Sequence, residues 1–274
     1  MRIARDLPTL RAEAERLGPL ALVPTMGALH AGHISLVAAA RQAVGSGGAV
    51  AASIFVNPLQ FGPNEDLSRY PRDEAGDLAA LEAAGCDLAW LPGVEAMYPP
   101  GRATAIEVGG PSEGWEGTAR PGHFRGVATV CAKLFLQSGA RVALFGEKDW
   151  QQLQVVRRMV ADLDIPTRIL GCPTVREADG LAMSSRNRFL APAERARAPL
   201  VQAALQEAAR GLAGGRPAAA ALGEARAGLE AAGFVLDYLA LVEPETLRET
   251  ADRPGRLIVA ARLGSVRLLD NIAA

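Results

Sequence analysis

Apolar positions along this chain fall into two kinds of pattern, short unbroken runs and longer stretches spaced three and four apart. Residues 20–24, 49–56, 88–91 and 142–145 are nearly continuous apolar runs, and runs of that length read as strands buried on both faces. Between them the spacing is helical. Residues 8–18 carry Leu10, Ala14 and Leu17 on one side and end at Gly18. Residues 33–44 place Ile34, Leu36, Val37, Ala40 and Val44 together, and 73–84, 124–138 and 149–163 follow the same rhythm. Strand and helix alternating at this interval predict βαβ units around a mostly parallel sheet, an α/β fold of the doubly wound type.

The pattern changes near 173–180, within GCPTVREADG. Residues 193–232 are Ala- and Arg-rich and helical, broken by GLAGGRP at 211–217. Three short runs follow, 235–242, 257–262 and 265–270, the last two joined as a hairpin. Two domains are therefore expected, 1–174 and a smaller one of helices and strands at 175–274.

Composition removes several classes of function. Of the residues 49% are hydrophobic and 22% charged, which excludes a disordered chain. Twenty-nine basic residues balance 30 acidic ones, so nothing in the charge calls for a nucleic-acid partner. Cys86, Cys131 and Cys172 are far apart and form no CxxC pair, which speaks against disulfides and zinc and for a reducing compartment. No apolar run reaches the roughly 18 residues a membrane helix needs, and the charged N-terminus is unlike a signal peptide. A soluble, cytoplasmic protein is expected.

Rare residue types then mark the chemistry. Only Lys133 and Lys148 are lysines, and the three histidines, His30, His33 and His123, all lie in Gly-punctuated segments. PTMGALHAGH, residues 24–33, joins a strand to a helix; Gly27 and Gly32 permit close backbone approach, and His30 and His33, three apart, face one way at a helix N-terminus suited to phosphate. SIFVNPLQF, residues 53–61, brings Asn57 and Gln60 to the carboxyl end of a strand, where open α/β sheets bind ligands; turn chemistry alone would also account for Asn57-Pro58. TARPGHFRGVATVCAKLF, residues 118–135, sets Arg120, His123 and Arg125 in a loop before a helix, a cluster suited to an anion. FGEKDWQQL, residues 145–153, offers Lys148 as a compact ammonium for phosphates, with Gln151 and Gln152 on the next turn and Gln152 the better placed. READGLAMSSRNRFL, residues 176–190, supplies Ser184, Ser185 and Arg186 as a phosphate clamp, although the same residues could merely cap a helix.

Taken in order, PTMGALHAGH, SIFVNPLQF, YPR, RPGHFRGV, FGEKDWQQL and GLAMSSRN closely resemble the motifs of the pantoate–β-alanine ligase family. That resemblance implies a Rossmann-like, doubly wound first domain related to nucleotidylyltransferases, with a smaller C-terminal lid domain and a homodimer formed through the first domain. It implies an AMP-forming ligation: pantoate is adenylated by ATP with loss of pyrophosphate, and β-alanine then displaces AMP to give pantothenate. By the same resemblance Met26, Gly27, Ala28, Leu29, His30, Ala31, Gly32 and His33 bind ATP, with His33 a proton donor and His30 and Lys148 acting beside it. Gly146, Glu147, Lys148 and Asp149, then Met183, Ser184, Ser185 and Arg186, complete the ATP site, and Val175 touches the adenine region. Gln60 contacts pantoate and β-alanine, Gln152 contacts pantoate, and Asn57 and His123 line the acid pocket. Magnesium rides on the phosphates, with Asp77 a contact through water. The rival readings are a nucleotidylyltransferase that leaves AMP or CMP on its product and a nucleotide-binding regulatory module.

Overall fold

Strands and helices alternate through the first 172 residues as the apolar pattern requires, and the chain then turns to helices and an antiparallel sheet. The computed structural model describes residues 1–63 and 65–274. They form two units, Met1–Glu147 with Gln152–Pro173, and Lys148–Gln151 with Thr174–Ala274. The division falls one residue ahead of the expected 174/175 break, and four residues of the GEKDWQQL segment belong with the second unit.

In the first unit the elements are β1 (Arg2–Ala4), α1 (Leu7–Leu17), β2 (Leu20–Thr25), α2 (Ala31–Val44), β3 (Ala49–Ile54), α3 (Glu74–Ala83), β4 (Leu88–Trp90), α4 (Val94–Met97), α5 (Trp115–Ala119), α6 (His123–Ser138), β5 (Val142–Gly146), α7 (Trp150–Asp162) and β6 (Arg168–Cys172). Trp150 and Gln151, the first two residues of α7, go with the second unit. Strand order is β1-β4-β3-β2-β5-β6, every neighbouring pair parallel. The central strands are buried on both faces: Ala21, Leu22 and Val23 of β2 and Val50, Ala51 and Ala52 of β3 are all inaccessible. Ala21, Val23, Val50 and Ala52 meet Leu36, Val37 and Ala40 of α2 in one apolar cluster. From β2 the chain winds outward through β3 and β4, then returns to lay β5 against the other side of β2. The order reverses between β2 and β5, so a ligand crevice belongs at the carboxyl ends of these strands. Residues 26–30 follow β2 there, Asn57 and Gln60 follow β3, and Glu147 follows β5.

The second unit holds α8 (Pro192–Arg197), α9 (Leu200–Ala213), α10 (Ala218–Ala231), β7 (Val235–Val242), β8 (Arg256–Leu263) and β9 (Val266–Ala273). β8 is the central strand of an antiparallel sheet, and Leu205, Leu229, Leu241, Leu257 and Val259 fill the core between sheet and helices. The β8–β9 hairpin turns through Gly264, whose φ of +57° suits a residue without Cβ. β9 continues to Ala273, beyond the apolar run, because Asp270 and Asn271 are buried and partnered inside the unit.

Candidate active site

The turn after β2 is held by side chains that accept its backbone amides. Gly27 has φ +83° and Ala28 φ +52°, so the chain makes a left-handed bend before α2. A Cβ on Gly27 would lie 2.8 Å from Oδ2 of Asp77 and 3.1 Å from Cγ2 of Ile54, which leaves room for glycine only. Asp77, on α3 and buried, accepts the amides of Ala28 at 2.8 Å and Leu29 at 2.7 Å, one on each oxygen. His30 is the N-cap of α2: its Nδ1 accepts from the Gly32 amide at 3.1 Å, while Nδ1 of His33 accepts from the His30 amide at 3.3 Å. The two rings stand 4.1 Å apart. A nitrogen that accepts an N–H carries no hydrogen, so each neutral ring bears its hydrogen on Nε2. The turn thus presents two imidazole donors of fixed tautomer beside a helix N-terminus, an arrangement suited to phosphate oxygens.

Gln60 lies next to this turn. Its Nε2 approaches Sδ of Met26 at 3.2 Å, and its Oε1 accepts from Nδ2 of Asn57 at 2.9 Å. Asn57 also donates to the Gly126 carbonyl and accepts from the Leu59 amide and, at 2.7 Å, from the Tyr98 hydroxyl. Both its donors and both its acceptor positions are therefore used within the protein, and it orients Gln60 from beneath. Gly126 of α6 lets that helix touch the Gln60 turn, since a Cβ there would fall 2.3 Å from the Leu59 carbonyl oxygen. His123, 7% exposed, faces the Gln60 carbonyl through Nδ1 at 2.9 Å and Nη1 of Arg120 through Nε2 at 3.1 Å. A carbonyl only accepts and a guanidinium only donates, so Nδ1 carries the hydrogen and the ring is neutral. Burial, with the Arg120 charge second, pulls its pKa down to about 4.

In the second unit, Lys148 sits in a single 3-10 turn, Glu147–Asp149, that follows β5. Its side chain is about four-fifths covered and lies 3.8 Å from Oδ1 of Asp149. Lys148 lines one pocket with Ser184, Asn187, Arg267 and Asp270. Residues 175–183 double back, with the Met183 amide on the Val175 carbonyl at 3.0 Å and a bridge between Arg176 and Ala182. Arg176 anchors this loop by a two-pronged pair with buried Asp270 at 2.6 and 2.9 Å. Ser184 Oγ accepts from the Arg186 amide, capping the short helix Ser185–Phe189, and its hydroxyl hydrogen remains to donate elsewhere. The capping and clamp readings of this segment are thus compatible.

The structure brings the expected residues together in two groups, His30, His33, Met26 and Gln60 in the first unit, and Lys148, Ser184, Val175 and Met183 in the second. Gln152 is half-buried on the first turn of α7, and its neighbour Gln151 is buried. Asp77 spends both oxygens on the backbone of the turn and so clamps it. Other expectations change. The Arg120–His123–Arg125 cluster is not an anion site: Arg120 pairs with Glu65 at 2.7 Å and with Glu116, and Arg125 reaches outward to Glu107. His123 and Arg125 belong to α6 itself, not to a loop before it. His123 is buried and backs the Gln60 turn through the Gln60 carbonyl. Tyr98, Gly126 and Asn271 carry structure at the site and were not legible as such; MYPPG, FRGV and the polar DN inside the last apolar run are the signals that point to them.

Comparison with known proteins is consistent along the whole chain. Residues 2–273 match the family model described as Pantoate-beta-alanine ligase. The pantothenate synthetase of Acidiphilium cryptum (strain JF-5) is 58% identical over 280 residues, covering all of both chains. A crystal structure of pantothenate synthetase from Thermus thermophilus superposes with a TM-score of 0.94 at 50% identity, covering 99% of each chain. The pantoate-β-alanine ligase of Francisella tularensis, complexed with β-γ ATP and β-alanine, gives a TM-score of 0.83 at 32% identity, covering 100% of this chain and 97% of that one.

Proposed function

The chain belongs to the pantoate–β-alanine ligase family, and from that membership we infer how its residues share the chemistry. The enzyme is an ATP-dependent, AMP-forming carbon–nitrogen ligase that makes pantothenate from pantoate and β-alanine through pantoyl adenylate. A pantoate carboxylate oxygen attacks the α-phosphorus of ATP, and the bond to the bridging oxygen of the β-phosphate breaks, releasing pyrophosphate. The β-alanine amine then attacks the acyl carbon; the carbon–oxygen bond to AMP breaks, AMP departs with the carboxylate oxygen, and the amine gives up a proton. The activated anhydride supplies the leaving group, so the protein's task is positioning and charge stabilisation.

The observation that carries the division of roles is the meeting of Gln60 with the His30–His33 turn, Nε2 of Gln60 standing 3.2 Å from Sδ of Met26. An amide able to bind a carboxylate or hydroxyl thereby adjoins two imidazole donors suited to phosphate, as attack of an acid on a nucleotide requires. His33 and His30 offer Nε2–H to phosphate oxygens as charge moves toward pyrophosphate, with His33 the proton donor. Lys148 adds a fixed positive charge, and Ser184, Ser185 and Arg186 clamp the phosphates. Gly27, Ala28, Leu29, Ala31, Gly32, Gly146, Glu147 and Asp149 complete the nucleotide site, with Val175 and Met183 at the adenine. Gln60 contacts pantoate and β-alanine, and Gln152 contacts pantoate. Magnesium enters with the nucleotide, bound to the phosphates as part of the substrate. A homodimer formed through the first unit, working in the cytoplasm, completes the reading and rests on family membership.

Pantoate labelled with ¹⁸O in its carboxylate tests the route. One labelled oxygen per turnover is expected in AMP, with none in pyrophosphate; label retained wholly in pantothenate would overturn the adenylate.

A further inference from the structure

Lys148 reaches its ligand on a long, flexible stem, so its usefulness depends on where its backbone is held. Two contacts from the second unit hold it. The Asn271 amide donates from Nδ2 to the Lys148 carbonyl at 2.8 Å. Two residues on, the Trp150 indole donates from Nε1 to the Pro244 carbonyl at 2.7 Å and lies under the Arg256 guanidinium, 3.3 Å from ring centroid to Cζ. Arg256 joins the two grips, because Nη1 donates to Oδ1 of Asn271 as well.

Asn271 is only 4% exposed and sits in β9 opposite Ile258 of β8, between Asp270 and Ile272. A buried amide is costly unless its hydrogen bonds are made, and here the donor is spent on the backbone of the loop lysine, 123 residues earlier in the chain. The adjoining Asp270 fixes Arg176, and with it the loop that carries Val175 and Met183. The C-terminal strand therefore reaches both nucleotide-binding segments of the second unit through two consecutive polar side chains.

We propose that Asn271 is a positioning residue for the adenylation step, holding the Lys148 carbonyl so that the ammonium is presented to the phosphates from a fixed backbone. The proposal rests on Lys148 acting on the phosphates as inferred above. Asn271→Asp is the sharpest probe, since it keeps the acceptor for Arg256 but turns an oxygen instead of an N–H toward the Lys148 carbonyl.

The test measures pantoate-dependent ATP–pyrophosphate exchange in wild type, Asn271→Asp, Lys148→Ala and the double variant, and the reaction of preformed pantoyl adenylate with β-alanine in each. A displaced catalytic group costs roughly ten- to a hundredfold in rate, so Asn271→Asp should lower exchange kcat by that factor. The KM for ATP should move by less than about threefold, and the second half-reaction should run near the wild-type rate. In the Lys148→Ala background the same substitution should cost nothing further. Asn271→Ala, read the same way, serves if the aspartate variant does not fold. Full-rate exchange in a folded variant, an equal loss in both half-reactions, or an equal loss in the Lys148→Ala background would each overturn the proposal. If Lys148→Ala itself leaves exchange unchanged, the role given to Lys148 falls first, an outcome separate from these.

Discussion

Protonation of His123 should loosen the Gln60 turn, and the pH at which it does so can be worked from its surroundings. In the folded chain the pKa is drawn down to about 4, from 6.5, by burial and then by Arg120. The unfolded chain therefore takes up a proton first as pH falls. The stability contributed by the neutral ring is present in full above about pH 6.5 and is lost as pH drops toward 4. Between these values the slope is about 1.4 kcal/mol per pH unit, so about 2 kcal/mol is gone by pH 5 and about 3 kcal/mol by pH 4. The structural cause is specific: a hydrogen added to Nε2 would face the Nη1 donor of Arg120, 3.1 Å away. Urea unfolding of wild type and His123→Gln at pH 7.5 and pH 5 isolates the effect, because every other titrating group is common to both. Wild type should lose about 2 kcal/mol more than the variant over this interval. An equal loss in the two proteins would show that His123 is not held neutral and that its contacts with Gln60 and Arg120 are misread.

Other substitutions separate the parts of the first unit's site. Gln60→Ala should weaken pantoate by about 1–3 kcal/mol, as for one or two lost buried hydrogen bonds, with ATP affinity nearly unchanged; steady-state KM values for both substrates check it. Asp77→Asn should destabilise the fold by about 1–3 kcal/mol, since one of two charge-assisted acceptors for the Ala28 and Leu29 amides is lost. Its magnesium dependence should match wild type, whereas a metal-binding role would shift the magnesium titration. Gly126→Ala forces a methyl against the Leu59 carbonyl, and a cost of about 1–3 kcal/mol is expected for such overpacking. Thermal unfolding reads that cost, and a raised KM for pantoate should accompany it.

How much of this could be seen in the sequence depended on whether a residue announces its role locally. The central strands β2, β3 and β5 declare themselves as apolar runs because both faces are buried. β1 and β6 do not, being short edge strands whose residues are partly exposed. The histidine turn was legible because glycine, histidine and helix start coincide within ten residues. Asp77 was visible as a carboxylate, but its partners are backbone amides 48 and 49 residues away, and no spacing rule reveals them. His123 looked like one member of a basic cluster, yet Glu65, 55 residues before Arg120, neutralises its neighbour. Asn271 shortened the predicted last strand, since a polar pair in an apolar run reads as an end; only its distant partner explains why the strand continues.

The central claim is that the acid is activated by direct transfer of AMP to pantoate, with His33 and Lys148 assisting departure of pyrophosphate and no enzyme nucleophile intervening. Exchange of labelled pyrophosphate into ATP tests this most directly. Exchange should proceed with ATP and pantoate, should be absent with ATP alone or with ATP and β-alanine, and should slow by about 10²–10³ in His33→Ala. Exchange with ATP and enzyme alone would mean that AMP is first held on the protein, and would contradict the account.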